Sequence, residues 1–367
     1  MPGNTLGTVF RVTTYGESHG PALGAVIDGC PPGLKLSEDD FAQAMKRRRP
    51  GDNAFDSPRR EEDRVRLLSG VLDGLTMGTP IGLSIENRDA DSRPYGVLER
   101  VFRPGHGDIT YFSKYGRYDH RGGGRASARE TAARVAAGVV ASRIVGPLGI
   151  TVRAFTVELG GVRVRRFAPE EASHNPLSCP DAEASKTMAR VLEESRLSGD
   201  SVGGIVEARI IGCPAGLGEP VFDKLDADLA KAFMSVGAVK GVEIGEGFGA
   251  ARLRGSQNND PITPGGFASN RSGGILAGIS NGDEIVMRAA VKPIPSIHKH
   301  QDTVDRDLQP FALRLDGRFD VCAIPRILPV LEAMALLVIT DHYLRWKAQC
   351  GADGYFYGFR GPPGSSL

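Results

Sequence analysis

The stretch that decides the fold runs Asp119-His120-Arg121-Gly122-Gly123-Gly124-Arg125-Ala126-Ser127-Ala128-Arg129-Glu130-Thr131-Ala132-Ala133-Arg134-Val135-Ala136-Ala137-Gly138. Three consecutive glycines let a backbone approach a ligand closely, and they lead straight into a helix start. Ser127 and Glu130 have the spacing of a capping box, and Val135 and Val139 then share one helix face. The free N–H groups and dipole of such a start favour an anion, and Arg125 and Arg129 add charge. The stretch reads as a phosphate or carboxylate site, or as a flexible glycine loop before a well-capped helix. Neither G-x-x-x-x-G-K-[ST] nor G-x-G-x-x-G occurs in the chain, which argues against a conventional P-loop or Rossmann site.

Working outward, Thr8 to Thr14 is β-branched and strand-like, residues 16–21 break it, and Ala22 to Asp28 resumes as a strand. Ser37 with Asp40 predicts a helix start, and Lys46-Arg47-Arg48-Arg49 suits its C-terminal end before Pro50-Gly51. Val65 to Leu72, Ile81 to Glu86, Val152 to Val157, Ser201 to Ile211 and Glu284 to Val291 read as further strands. Helices are predicted from about Asp223 to Met234 and from about Leu328 to Lys347. Strands and helices do not alternate strictly, so the expectation is α+β with antiparallel sheets.

Gly29-Cys30-Pro31-Pro32-Gly33-Leu34 and Gly212-Cys213-Pro214-Ala215-Gly216-Leu217 each follow a strand and precede a helix. Their likeness suggests an internal pseudo-repeat, the alternative being chance similarity at a common junction. No Pro/Ser-rich linker separates the halves, so residues 1–360 are expected to form one unit, with 361–367 as a frayed, disordered tail.

The 367 residues carry 45 basic and 44 acidic side chains, a net charge of +1. That balance argues against a nucleic-acid binder, which normally shows a large basic excess. The basic set is nevertheless 35 Arg to 10 Lys, and 18 of the arginines fall within the first 143 residues. Arg offers a rigid fork of donors to phosphate and carboxylate, so the pattern suggests localised anion sites, although GC-rich codon usage would also enrich Arg and Gly. The five cysteines, Cys30, Cys179, Cys213, Cys322 and Cys350, form no C-x-x-C, so no zinc or other metal site is expected. They read as buried thiols in a reducing compartment. No signal peptide is recognised, and the apolar run Leu328 to Thr340 falls short of a membrane span. A cytoplasmic protein without nucleic-acid or membrane partners is the expectation.

Two histidines sit in glycine-flanked loops, Ser18-His19-Gly20 and Gly105-His106-Gly107, where an imidazole is accessible for proton transfer or is merely exposed. Gly16-Glu17-Ser18-His19-Gly20 also matches G-x-S-x-G, but Pro21 and a second strand follow it, which is the wrong setting for a hydrolase elbow. Asp320 lies between Arg318 and Arg326, as an ion-pair partner or as a positioned base.

Taken together these residues resemble the chorismate synthase family. The matching stretches are the 3–5 start with its GESHG loop, RRRPG at 47–51, FRPGH at 102–106 and the 119–138 stretch. AVKGVEIG at 238–245, GSQN at 255–258, SGGILAGISNG at 272–282, KPIPSI at 292–297 and the 318–326 segment complete them in order. The resemblance implies a β–α–β sandwich and a carbon–oxygen lyase. It would remove phosphate and a ring proton from 5-enolpyruvylshikimate-3-phosphate in an anti-1,4 elimination giving chorismate, the last step of the shikimate pathway. Reduced FMN is implied as cofactor, without net redox change. A homotetramer is also implied, with flavin reduced either by NADPH on the enzyme or by an external reductase.

By resemblance, His19 assists the departing phosphate, His106 faces the flavin, and Asp320 serves the ring proton, with Ser18 and Ser127 in the same site. Flavin contacts fall on Arg125, Ala126, Ser127, Gly237, Ala238, Ala277, Gly278, Lys292, Pro293, Ile294, Pro295, Ser296 and Arg318. Substrate anions fall to Arg48, Arg125, Arg129, Arg134 and Arg326. The sequence departs from the family pattern at Phe319, where His is usual, at Val321, where Pro is usual, and at Ala54, where Arg is usual. One phosphate-facing Arg is then either absent or supplied by Arg59 or Arg60, and the NADPH contact proposed at that loop is in doubt. A catalytically inactive flavin- or anion-binding protein of the same fold is the alternative reading.

Overall fold

The computed structural model describes residues 3–49, 61–89, 93–317 and 319–351. Ala54, Arg59, Arg60, Arg318 and the 361–367 tail lie outside the described residues.

Two five-stranded antiparallel sheets frame the molecule. The first holds β1 (Thr5–Leu6), β2 (Arg11–Gly16), β3 (Ala22–Asp28), β4 (Val65–Leu67) and β5 (Ile81–Glu86), in the order β1-β2-β3-β5-β4. The second holds β6 (Thr151–Leu159), β7 (Val162–Arg163), β8 (Gly204–Ile211), β9 (Val239–Ile244) and β10 (Ile285–Val291), in the order β9-β10-β8-β6-β7. Each buries one face by simple alternation. Ile81, Leu83 and Ile85 point inward from β5, and Ile285, Met287, Ala289 and Val291 do so from β10.

Of the helices α1 (Ala42–Arg48), α2 (Asp108–Tyr115), α3 (Thr131–Val145), α4 (Ala182–Leu197), α5 (Leu225–Met234) and α6 (Ile324–Cys350), two lie between the sheets. Helix α3 packs on the first sheet, α6 packs on the second, and the two pack on each other. Small residues make that crossing close. A Cβ built on Gly138 would stand 2.5 Å from the Ala333 Cβ and 2.8 Å from its Cα. One apolar core runs through both halves, from Leu23 and Ile85 across Val140 and Leu331 to Val206 and Met287.

Polar ties complete the sandwich. The Glu332 carboxylate accepts from Arg47 at 2.6 and 2.9 Å and from the Ala154 N–H at 3.0 Å. Asp341 Oδ1 accepts from the N–H groups of Thr8, Val9 and Phe10 at 2.9, 2.7 and 2.8 Å. Those three donors are taken by a side chain, which is why β2 starts at Arg11 and not at Thr8.

The pseudo-repeat is explicit in hydrogen bonds. After the central strand β3, the Thr76 hydroxyl donates to the Pro31 carbonyl at 2.7 Å and accepts from the Leu34 N–H at 2.9 Å. After the central strand β8, the Ser280 hydroxyl donates to the Pro214 carbonyl at 2.5 Å and accepts from the Leu217 N–H at 2.9 Å. Thr76 and Ser280 close equivalent hairpins, in which Val71 pairs with Thr76 and Ile275 with Ser280.

Several local expectations change. The segment expected as one strand to Leu72 stops at Leu67, and the hairpin at Val71–Thr76 replaces its end. At Ser127 the hydroxyl accepts from the Arg129 N–H at 3.3 Å, but Glu130 turns to Arg134, so the capping box is half made and a 3-10 turn precedes α3. Helix α6 begins at Ile324 and continues through Pro329. At this length it is apolar enough to cross a membrane, contrary to the shorter expected run, yet 89% of its apolar window is buried inside the protein as a core helix. Cys30, Cys179, Cys213 and Cys322 are buried and free, and Cys350 is exposed.

Candidate active site

A cavity of about 680 Å³ opens where the two halves meet at one end of the helix pair. This lies within the roughly 300–1,000 Å³ typical of small-molecule sites. One wall is apolar, formed by Ile327, Val330, Met334 and Leu337 of α6. Among the described residues seven cations line it, Arg48, Arg103, Arg125, Arg134, Lys231, Lys292 and Arg326, against two carboxylates, Glu130 and Asp320. With its net charge of +1 the chain as a whole hides this local excess.

The glycine loop sets the floor. Gly122, Gly123, Arg125, Ala126, Ser127 and Ala128 all face the cavity. Gly122 has φ +67, and a Cβ there would stand 2.3 Å from His19 Cε1 and 3.1 Å from Ser18 Oγ. Only glycine therefore fits between the GESHG loop and the cavity. Ser18 and His19 stand directly behind this glycine and not in the cavity lining. Arg125 reaches back to the first sheet, donating to Thr14 Oγ1 at 2.7 Å, the Gly16 carbonyl at 3.2 Å and Asn4 Oδ1 at 3.3 Å.

His106 is fixed on both ring nitrogens. Nδ1 lies 3.3 Å from the Pro104 carbonyl, which can only accept, so Nδ1 carries the proton. Nε2 then accepts from the Ser296 hydroxyl at 3.1 Å. Burial and the Arg103 charge pull the imidazole down to about 4, with Asp108 opposing. His106 is accordingly neutral near pH 7. Its loop is pinned from the other side by Lys292 Nζ, which donates to the Gly105 carbonyl at 2.6 Å.

Asp320 accepts from Arg326 Nη1 at 2.5 Å, and Arg326 Nε donates to the Arg48 carbonyl at 3.4 Å. Phe319 beside them lines the cavity and packs on the His298 ring, with centroids 5.2 Å apart. Arg134 donates to Ser235 Oγ at 2.6 Å and to the Ser235 carbonyl at 3.2 Å.

Arg48 is fully buried. It donates to Asp63 at 3.2 Å and to the Ala128 carbonyl at 2.7 Å, and burial draws its guanidinium down to about 9. Asp63 joins it to Arg129, which also donates to Asn87 Oδ1 at 2.9 Å. Arg48 still touches the cavity, whereas Arg129 is turned toward Asp63 and Glu61 and is absent from its lining. Arg47, from the same basic run, is taken by Glu332.

The structure therefore brings His106, Asp320, Ser127, Arg48, Arg125, Arg134, Arg326, Ala126, Gly237, Ala238, Lys292, Ile294, Pro295 and Ser296 to one cavity. Pro293 lies in the same loop but not in the lining. Ala277 and Gly278 stand apart, at the turn of the 275–280 hairpin, where Gly278 abuts Lys224. Sequence reasoning missed Arg103 and Lys231. Arg103 stood inside FRPGH and was readable there, whereas nothing local marks Lys231 on α5. Among the described residues, no group of three His, Cys, Asp or Glu side chains is placed to hold a metal ion.

Comparison with known proteins gives one answer. The family model described as chorismate synthase matches residues 10–344. A chorismate synthase of Syntrophus aciditrophicus (strain SB) is 61% identical over 351 residues, 95% of this chain and 99% of the relative. That of Syntrophobacter fumaroxidans (strain DSM 10017 / MPOB) is 60% identical over 344 residues, 94% of this chain and 98% of the relative. A crystal structure of chorismate synthase superposes with a TM-score of 0.74 at 33% identity, covering 95% of this chain and 94% of the other.

Proposed function

The chain belongs to the chorismate synthase family, and on that premise we propose that its cavity converts 5-enolpyruvylshikimate-3-phosphate to chorismate and phosphate. The enzyme is a carbon–oxygen lyase acting on a phosphate ester, at the last step of the shikimate pathway. The observation that carries the reading is the gathering of seven cations and a fixed neutral histidine around one partly apolar cavity. A substrate with one phosphate and two carboxylates needs several cations, and a low-dielectric wall strengthens each of them.

Reduced FMN fits this site on two counts. The α6 wall offers an apolar face for a ring system, and the glycine loop with Arg125 offers donors to a phosphate. Ala126, Ser127, Gly237, Ala238, Lys292 and residues 294–296 would hold it. When bound, the reduced flavin supplies an electron-rich partner to the elimination without net redox change.

The chain's own residues do the rest. Arg48, Arg134 and Arg326 bind and orient the substrate anions. His19, one glycine behind the cavity floor, delivers a proton toward the departing phosphate. His106 would lend its fixed, neutral ring to anionic charge at the flavin end of the site. Asp320, held by Arg326, serves the proton lost from the ring. Ser127 and Ser18 position these groups.

We read residues 1–360 as a single domain in a cytoplasmic homotetramer. Exposed apolar side chains such as Phe222 and Phe248 support assembly, and the buried free thiols support a reducing compartment. The flavin comes reduced either from an external reductase or from NADPH at this site. An anaerobic assay with pre-reduced FMN should yield chorismate, and oxidised FMN without a reductant should yield none. Binding of FMN without product under reduced conditions would instead mean an inactive flavin-binding relative. Adding NADPH to the oxidised arm decides whether the chain reduces its own flavin.

A further inference from the structure

Asp108 sits outside every role described so far, yet it is one of the best-connected carboxylates in the molecule. It is buried at the first residue of α2 and accepts three bonds from a single residue. Arg103 gives it Nε at 2.7 Å, Nη2 at 2.7 Å and its backbone N–H at 3.1 Å. Burial opposes ionisation of Asp108, but the hydrogen bonds and charge of Arg103 outweigh it and hold the carboxyl below its ordinary range. Such a bidentate, buried pair has one geometry.

The pair closes the loop 103–108 like a clasp, and His106 stands at its middle. Within it the His106 N–H donates to the Arg103 carbonyl at 3.4 Å, and Nδ1 donates to Pro104. Arg103 also lines the cavity beside Gly123, where a Cβ would stand 3.3 Å from Nη2. Among the described residues, the charged groups that act most on the imidazole are Arg103 and Asp108 from its own loop and Lys292 from the loop opposite. Asp108 is the only carboxylate among these three.

From this we infer that Asp108 is a positioning residue of the reaction: through Arg103 it holds the 103–108 loop shut and so fixes the tautomer and aim of His106. The inference rests on the proposed role of His106 but concerns a feature of the ligand-free protein. Without the carboxylate, Arg103 is left as a buried cation without its bidentate partner and the clasp opens.

The test compares the full-length wild type with Asp108→Asn. Ring ¹⁵N spectra of histidine-labelled protein report the tautomer, with the His106 signals identified by their absence in His106→Gln. Wild type should show His106 locked with its proton on Nδ1, and Asp108→Asn should show averaging between the two tautomers. Turnover should fall by roughly 10- to 100-fold, chiefly in kcat, as expected for a slightly misplaced group. A double variant, Arg103→Gln with Asp108→Asn, removes the stranded charge and separates loss of the clasp from charge stress, since its His106 should remain unlocked. An unchanged, locked His106 spectrum in Asp108→Asn would overturn the inference, as would turnover within about twofold of wild type. If wild type itself turned over no substrate, the proposed function would fail while the ring spectra still decided the role of Asp108.

Discussion

His106 Nε2 and Ser296 Oγ lie 3.1 Å apart, and the bond joins the FRPGH loop to the KPIPSI loop, which stand 190 residues apart in the chain. With Nδ1 committed to Pro104, the imidazole has no freedom to turn. Its proton affinity is set by what surrounds it, namely burial and Arg103 on one side and Asp108 on the other.

That depressed affinity has a pH consequence. In the unfolded chain His106 takes up a proton near pH 6.5, and in the folded protein only near 4. The unfolded state therefore binds more protons between these values, and the contribution of His106 to stability is full above about pH 6.5 and declines as pH falls toward 4. Going from pH 7.5 to 5.5 should cost roughly 1 kcal/mol through this residue. Urea unfolding at both pH values should show a smaller loss in His106→Gln than in wild type. An equal loss in the two proteins would refute the assignment.

Asp320 and Arg326 face the cavity as a pair 2.5 Å apart. Asp320→Asn keeps the shape but gives up the basic site. It should lower turnover by roughly 10²- to 10⁴-fold, the usual worth of a positioned acid or base, with thermal stability nearly unchanged. Arg326→Gln should raise KM as well, because it also removes a substrate cation. Steady-state kinetics on both variants separate these effects, and a fully active Asp320→Asn would remove the carboxylate from the mechanism.

Gly138 tests the packing of the helix pair. Alanine is the better helix former by about 1 kcal/mol, so an open site would gain stability. Here the added methyl meets the Ala333 backbone at 2.8 Å, and the two central helices must separate. Overpacking of this kind costs roughly 1–3 kcal/mol. Gly138→Ala should therefore melt lower than wild type. A higher melting temperature would show that the crossing is looser than described.

The repeat makes a paired prediction. Thr76→Val and Ser280→Ala each strip one hydroxyl from equivalent bridges, leaving a carbonyl and an N–H without their partner. Each should cost about 1–3 kcal/mol, and the two costs should agree within about 1 kcal/mol in denaturant titrations. A loss confined to one half would mean that the resemblance of the two hairpins is not matched in their energetics.

Much of this was legible in the chain. The strands at Ile81 to Glu86 and Glu284 to Val291 were readable in both halves, and the two GCPxGL turns marked the repeat. The triple glycine and following helix placed the cavity floor. What local reading missed was set by distant partners. Asp341 takes the N–H groups of residues 8–10 across more than 330 positions, and Asp63 draws Arg129 away from the cavity. Pro329 did not end α6, because packing between two sheets outweighs one lost hydrogen bond. The pairing of half-exposed Arg47 with the buried Glu332 carboxylate shows that clustering in sequence was not enough to tell a ligand arginine from a structural one.

The central claim is that this cavity carries out the elimination with its own histidines, and phosphate release tests it most directly. Under anaerobic conditions with pre-reduced FMN, wild type should release one phosphate for each chorismate formed. His19→Ala and His106→Ala should each slow that release by roughly 10- to 1000-fold while remaining folded. No release above the enzyme-free control in wild type, or wild-type rates in both variants, would contradict the account.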